Sequence, residues 1–261
     1  MRFVLGILAF SFFTSQTAHA QEKYSILQGS TSDTVTHFTV VARADEDLRF
    51  EAIARSAREA LAPVRVERIT QAGSDWVVYR MRFENLHAQE RYVLRTLNSE
   101  NHVQDQRNFK TLIMSTGRGR IALISCMLRQ FHNPFMWNQL EKPQNHPDLM
   151  LFLGDSVYLD RNRLLFAKRP KSLLEVWSDF VLSRNKLNVY FWRDLVPVVS
   201  IWDDHDSGGD NVDARFQLMA KIRSVIRKTF SSIVVYVRVL LIWGTIIDRI
   251  RVEAAGNHRG R

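Results

Sequence analysis

Three short stretches carry the residues best suited to catalysis or metal binding. Ser125-Cys126 closes an apolar run that starts at Arg120, and Gly154-Asp155-Ser156-Val157-Tyr158 closes a second that starts at Asp148. Trp202-Asp203-Asp204-His205-Asp206 closes a third that starts at Val196, and Asn211 follows shortly after. Two or three carboxylates at one edge of a sheet are costly unless something positive sits among them. With a thiolate, a phenolate and an imidazole they make a mixed oxygen, nitrogen and sulfur donor set, suited to transition metals and calcium. Two metals about 3.5–4 Å apart would clamp a phosphate and lower the pKa of a bound water. His205, beside a carboxylate ligand, is placed to protonate a leaving alkoxide or to stabilise the charge building there. Taken singly, Cys126 reads as a small buried residue, Asp155 as part of a turn and Tyr158 as core. The polar run after Trp202 has no such plain structural reading.

These stretches need elements that bring their ends together. Each apolar run is continuous rather than alternating, the pattern of a strand buried on both faces, as in a parallel sheet. Leu173 to Leu182, between the second and third runs, has helical spacing with Leu174, Trp177 and Val181 on one side. Strands alternating with a helix predict an α/β arrangement, in which ligands bind beyond the carboxyl ends of the strands. Upstream, residues 21–112 read mainly as β. Val35 to Ala42 is strand-like. Trp76 to Leu86 alternates, with Val77, Tyr79, Met81 and Phe83 on one face and Val78, Arg80, Arg82 and Glu84 on the other; Arg91 to Leu97 alternates too. Strands at this spacing, between polar turns such as Ala72-Gly73-Ser74-Asp75, predict a small β-sandwich. Ile53, Ala57 and Leu61 have helical spacing, which leaves 48–61 open between strand and helix. His37, His87 and His102 are scattered and form no constellation. Gly117-Arg118-Gly119 marks a linker.

In their order along the chain, Ser-Cys after a strand, Gly-Asp-x-x-Tyr at 154–158 and Trp-Asp-Asp-His at 202–205 resemble the alkaline phosphatase D family of secreted metallophosphatases. The resemblance covers roughly residues 25–230. It implies an α+β two-domain fold, with an N-terminal β-sandwich at 21–115 followed by an incomplete α/β calcineurin-like metallophosphatase domain at 116–230. It implies Cys126, Asp155 and Tyr158 as metal ligands, with Asp155 as the bridge, and Asp204 as a ligand of the second metal. His205 would be the catalytic acid, and Asp203 and Asn211 would support the ligands or bind substrate. The implied cofactors are iron and calcium, or other divalent metals. The implied reaction is hydrolysis of small-molecule phosphate mono- or diesters.

The resemblance stops after the third motif. The family's second half, with further histidine ligands in Gly-Asp-x-His-like segments, has no counterpart, and His258 is the only histidine after His205. Residues 231–261 run from an apolar stretch into an Arg-rich end, a tail that reads as a truncation or frameshift. A divergent member that completes its site by oligomerisation and a membrane-surface segment are the other readings of it. Net charge points to the same boundary. Of the overall +9, the segment from Ala214 holds a surplus of eight, with eight Arg and two Lys against Asp248 and Glu253. Residues 1–213 carry 26 basic and 25 acidic groups, which argues against a nucleic-acid-binding surface. With 46 % hydrophobic and 24 % charged residues, a disordered or collagen-like chain is excluded.

Met1-Arg2, the apolar run Phe3 to Phe13 and Ala18-His19-Ala20 predict a signal peptide spanning 1–20, hence a periplasmic or secreted protein. That run is too short to span a bilayer, which needs about 20 residues, so no transmembrane segment is expected after cleavage. The single cysteine, Cys126, rules out an intramolecular disulfide, and a metal site would explain a thiol kept in an oxidising compartment. Beside the hydrolase reading stand two alternatives: a catalytically inactive remnant of the family, and a cationic protein that binds membrane surfaces.

Overall fold

The structure, a computed structural model, describes residues 23–57, 59–112, 119–160, 171–208 and 225. Eight strands come first: β1 (Ser25–Thr31), β2 (Thr36–Arg43), β3 (Arg49–Ala54), β4 (Ala60–Leu61), β5 (Arg65–Thr70), β6 (Trp76–Phe83), β7 (Arg91–Leu97) and β8 (Val103–Lys110). They pair antiparallel in two four-stranded sheets, ordered β1-β2-β6-β5 and β4-β3-β7-β8. β-branched and aromatic residues at alternate positions drive this pairing by filling the space between the sheets. Val77, Tyr79, Met81 and Phe83 of β6, with Phe38 and Val40 of β2, share one core with Phe50, Ala52, Tyr92, Leu94 and Phe109 of the opposite sheet. Phe38 meets Phe83 and Phe109 edge-on, with ring centroids 5.9 and 5.0 Å apart. The open segment at 48–61 forms β3 and β4, because Phe50, Ala52 and Ala54 alternate into that core.

The other face of the β1-β2-β6-β5 sheet is also covered. Leu27, Val41 and Val78 join a second core with Val176, Trp177, Phe180 and Val181 of helix α2 (Leu173–Arg184). Val78, on the face opposite Tyr79, is therefore as buried as its neighbours. α2 starts in a capping box: the Ser172 hydroxyl accepts from the Glu175 amide at 3.2 Å, and the Glu175 carboxylate accepts from the Ser172 amide at 2.7 Å. At its other end Arg184, fully buried, donates to Ser25 and Thr39 of the sandwich and stacks over Tyr190. Trp137 of the short helix α1 (Pro134–Glu141) is buried in the same core.

The three apolar runs form β9 (Ile121–Ile124), β10 (Leu149–Leu153) and β11 (Val198–Ile201), a parallel sheet ordered β11-β10-β9. The expected fold class needs correction at this point. The described residues are mainly β, in three sheets with two α-helices, and do not make an α+β pair whose second member is an α/β calcineurin-like domain. A parallel α/β sheet requires helices on both faces. Here β9 leaves Ile121 and Leu123 46 % and 66 % exposed, so its continuous apolar run is not a strand covered on both sides. Three short parallel strands instead sit against a β-sandwich, bound through α2 and the edge of β8, whose Asn108 exchanges backbone hydrogen bonds with Arg193 and Leu195. Among the described residues no helix is long and apolar enough to cross a membrane. The segments 1–20 and 231–261 lie outside the described residues.

Candidate metal centre

Parallel pairing puts the carboxyl ends of β9, β10 and β11 side by side, and each strand delivers a chemical group at the second residue past its end. Those residues are Cys126, Asp155 and Asp203. Cys126 and Asp155 both adopt left-handed backbone, with φ of 56° and 54°. For a residue with a Cβ that conformation costs on the order of 1 kcal/mol or more, and it persists only where the surroundings impose it. The two turns are tied together by the Met127 amide, which donates to the Asp155 carbonyl at 2.9 Å. Gly154 has a φ of 97°, and a Cβ there would lie 2.5 Å from the Asp203 Cβ and 3.0 Å from its amide nitrogen. Only glycine lets the ends of β10 and β11 approach this closely.

Asp155 is 8 % exposed. Its Oδ2 faces the Cys126 Sγ at 3.6 Å and the Tyr158 hydroxyl at 3.3 Å. Its Oδ1 is buried and accepts no hydrogen bond. Burial raises the pKa of the Tyr158 phenol, and the neighbouring Cys126 and Asp155 push it the same way, so Tyr158 stays protonated and its hydroxyl donates a hydrogen bond to Asp155 Oδ2. Asp204 and His205 complete the cluster. Asp155, Asp204 and His205 offer donor atoms that all lie within 4.8 Å of one another. The His205 ring lies against Tyr158 at a centroid distance of 4.2 Å, and its Nδ1 is 3.0 Å from Asp160 Oδ1. An Nδ1–H held by that carboxylate leaves Nε2 as the ring atom able to ligate a metal or pass a proton.

The structure thus brings Asp155, Asp204 and His205 together, with Cys126 and Tyr158 against Asp155 Oδ2. The Asp203 carboxylate is used locally, accepting from the Asp204 amide at 2.9 Å, while its carbonyl accepts from the Ser207 amide and hydroxyl. Asn211 lies outside the described residues. Two carboxylates went unassigned at the level of sequence. Asp160 orients His205, and its only signal is a polar residue two positions after Tyr158. Asp206 is buried, and its two oxygens accept from the Val157 amide at 2.7 Å and the Asp203 amide at 3.1 Å, clamping the second and third loops together. Burial pushes its pKa up to about 7 despite those two bonds. Its signal was the fifth place in the Trp-Asp-Asp-His-Asp run, which by type alone is another acid.

The donor set fits a metal. A buried carboxylate oxygen without a partner costs about 1–3 kcal/mol, more when charged, and a cation at that oxygen would remove the cost. Oxygen donors from Asp155 and Asp204 and the adjacent sulfur of Cys126 suit a borderline transition metal or calcium better than magnesium alone.

No protein-family model matches the chain, and no curated protein does. Among solved structures the chain is similar to that of Astrotactin-2, described as a conserved vertebrate-specific and perforin-like membrane protein involved in neuronal development. The identity is 10 % and the TM-score 0.26, over 34 % of this chain and 21 % of that one. The chain therefore matches about a fifth of that structure's length, and at this TM-score the likeness carries no argument.

Proposed function

We propose that the strand-end cluster binds metal and hydrolyses phosphate mono- or diesters, in keeping with the resemblance of its motifs to the alkaline phosphatase D family. Asp155 and Asp204 hold the metal, Cys126 and Tyr158 complete the set around Asp155, His205 stands beside them with Nε2 free for proton transfer, and iron and calcium are the ions the resemblance points to. When bound, the metal supplies Lewis acidity toward a phosphoryl oxygen and acidifies water. The protein's own groups do the rest. His205 donates a proton from Nε2 to the leaving oxygen, and Asp160 fixes the ring for that transfer. Asp206 and Gly154 hold the second and third loops in register, so that Asp155 and Asp204 stay on one point.

One observation carries this reading: Asp155, whose Oδ1 is buried without a hydrogen-bond partner, offers a carboxylate oxygen within 4.8 Å of donor atoms of Asp204 and His205. The full chain supplied with iron and calcium should hydrolyse an aryl phosphate mono- or diester, and Asp155→Ala or His205→Ala should abolish turnover. A folded sample that binds no metal and turns over no ester overturns the proposal. Metal binding without turnover selects the inactive remnant of the family instead.

A further inference from the structure

A second charged site lies at the opposite pole of the parallel sheet. Arg120 precedes β9 and Asp148 precedes β10, and both line a cavity of about 330 Å³ between this sheet and the β3, β7 and β8 edge of the sandwich. On the sandwich side its wall is a row of cations across three strands. Arg55, just past β3, donates its amide to the Arg91 carbonyl at 2.8 Å, and Arg91 stands opposite Lys110 in the pairing of β7 with β8. Like charges opposite one another on neighbouring strands are destabilising. Only one of the three is neutralised: Lys110 pairs with Asp148 at 2.5 Å. The Arg55 guanidinium donates to the neutral Asn108 at 3.1 Å, and Arg120 donates to the Pro143 and Gln144 carbonyls. The nearby Glu90 carboxylate is taken by Ser56 and the Arg91 amide. Glu141 and Asp194 also line the cavity, Asp194 accepting from the Asn108 side-chain amide at 2.8 Å, but among the described residues no carboxylate forms an ion pair with Arg55, Arg91 or Arg120.

We infer that this cleft binds a small anion of two or more negative charges, phosphoryl or carboxylate, between Arg55 and Arg91 on one wall and Arg120 on the other. An anion there removes the repulsion along the row, and guanidinium groups engage phosphoryl and carboxylate oxygens through paired N–H bonds. The cavity lies within the usual size range for small-molecule sites. The inference does not depend on metal binding at the strand ends.

The test is titration calorimetry of the full chain with inorganic pyrophosphate and with citrate, on protein stripped of metal over a chelating resin and kept in metal-free buffer, so that no metal can hold the anion at the strand-end cluster. One equivalent of either anion should bind, more weakly as KCl is raised. Arg55→Ala and Arg91→Ala, at exposed positions, should each weaken it by about tenfold. Asp155→Ala should leave it unchanged. Failure of both anions to bind the folded chain overturns the inference. So does binding that survives both Arg substitutions, or that disappears with Asp155→Ala.

Discussion

Asp105 and Asp155 are both buried carboxylates, 6 % and 8 % exposed, yet they are held in opposite ways. Asp105, on the edge strand of the sandwich, accepts from the Lys23 amide at 2.8 Å, the Tyr24 amide at 3.0 Å, and Arg107 at 2.7 and 2.9 Å. Both oxygens are used and the charge is matched, while Arg107 goes on to donate to the Trp192 and Tyr24 carbonyls. Asp155 has a thiol and a phenol at one oxygen, nothing at the other, and stands on left-handed backbone. The first arrangement is complete in itself and serves stability. The second stores cost at one point, the pattern of a site arranged for a charge that arrives from outside.

Breaking each carboxylate should therefore give different results. Asp105→Ala leaves the Arg107 guanidinium buried and unpaired, and should cost about 3–5 kcal/mol in denaturant unfolding. It should leave the metal stoichiometry of the folded fraction untouched. Gly154→Ala forces a Cβ into Asp203 at positive φ, and should cost about 1–3 kcal/mol while also weakening metal binding. An unchanged midpoint would mean that the second and third loops are not held as closely as the geometry indicates. Asp155→Asn should behave in the reverse sense. In EDTA it removes an uncompensated buried charge, and stability should hold or rise by up to about 1 kcal/mol, the signature of a residue kept for function. A loss as large as that of Asp105→Ala would erase the distinction between the two carboxylates.

The smallest effect concerns pH and the sandwich. Burial pushes the His37 pKa below its ordinary value of 6.5, despite the bond of its ring to the Ser30 carbonyl. The unfolded chain therefore binds this proton more readily than the folded one, so stability falls as pH drops through about 6.5 and levels off below the folded value. His37→Gln should flatten that part of a stability profile, and a profile unchanged by the substitution would contradict the assignment.

Much of the sandwich was legible because β6 encodes one of its faces by strict alternation: Val77, Tyr79, Met81 and Phe83 all reach the core. The burial of Val78 was not, since it depends on Trp177 of a helix about a hundred residues away. Three continuous apolar runs correctly announced parallel strands ending on Cys126, Asp155 and Asp203. They did not announce how few strands and helices stand behind them, and the inference to an α/β domain failed there. Continuous apolarity reports local burial, whereas fold class depends on what covers the faces, and Ile121 and Leu123 are left exposed. At the site, residue type pointed to the donors. The left-handed turns at Cys126 and Asp155, the hold of Asp160 on His205 and the clamp of Asp206 arise from contacts between loops, which no local pattern records.

If Asp155 is held for a metal, the number of metal ions per chain must depend on its carboxylate. The full protein, loaded with iron and calcium and then desalted, is weighed by native mass spectrometry beside Asp155→Asn and Asp105→Asn. The wild type and Asp105→Asn should each carry at least one bound metal, and Asp155→Asn none. A wild-type protein that carries no metal, or an Asp155→Asn protein that carries as much as the wild type, would contradict it.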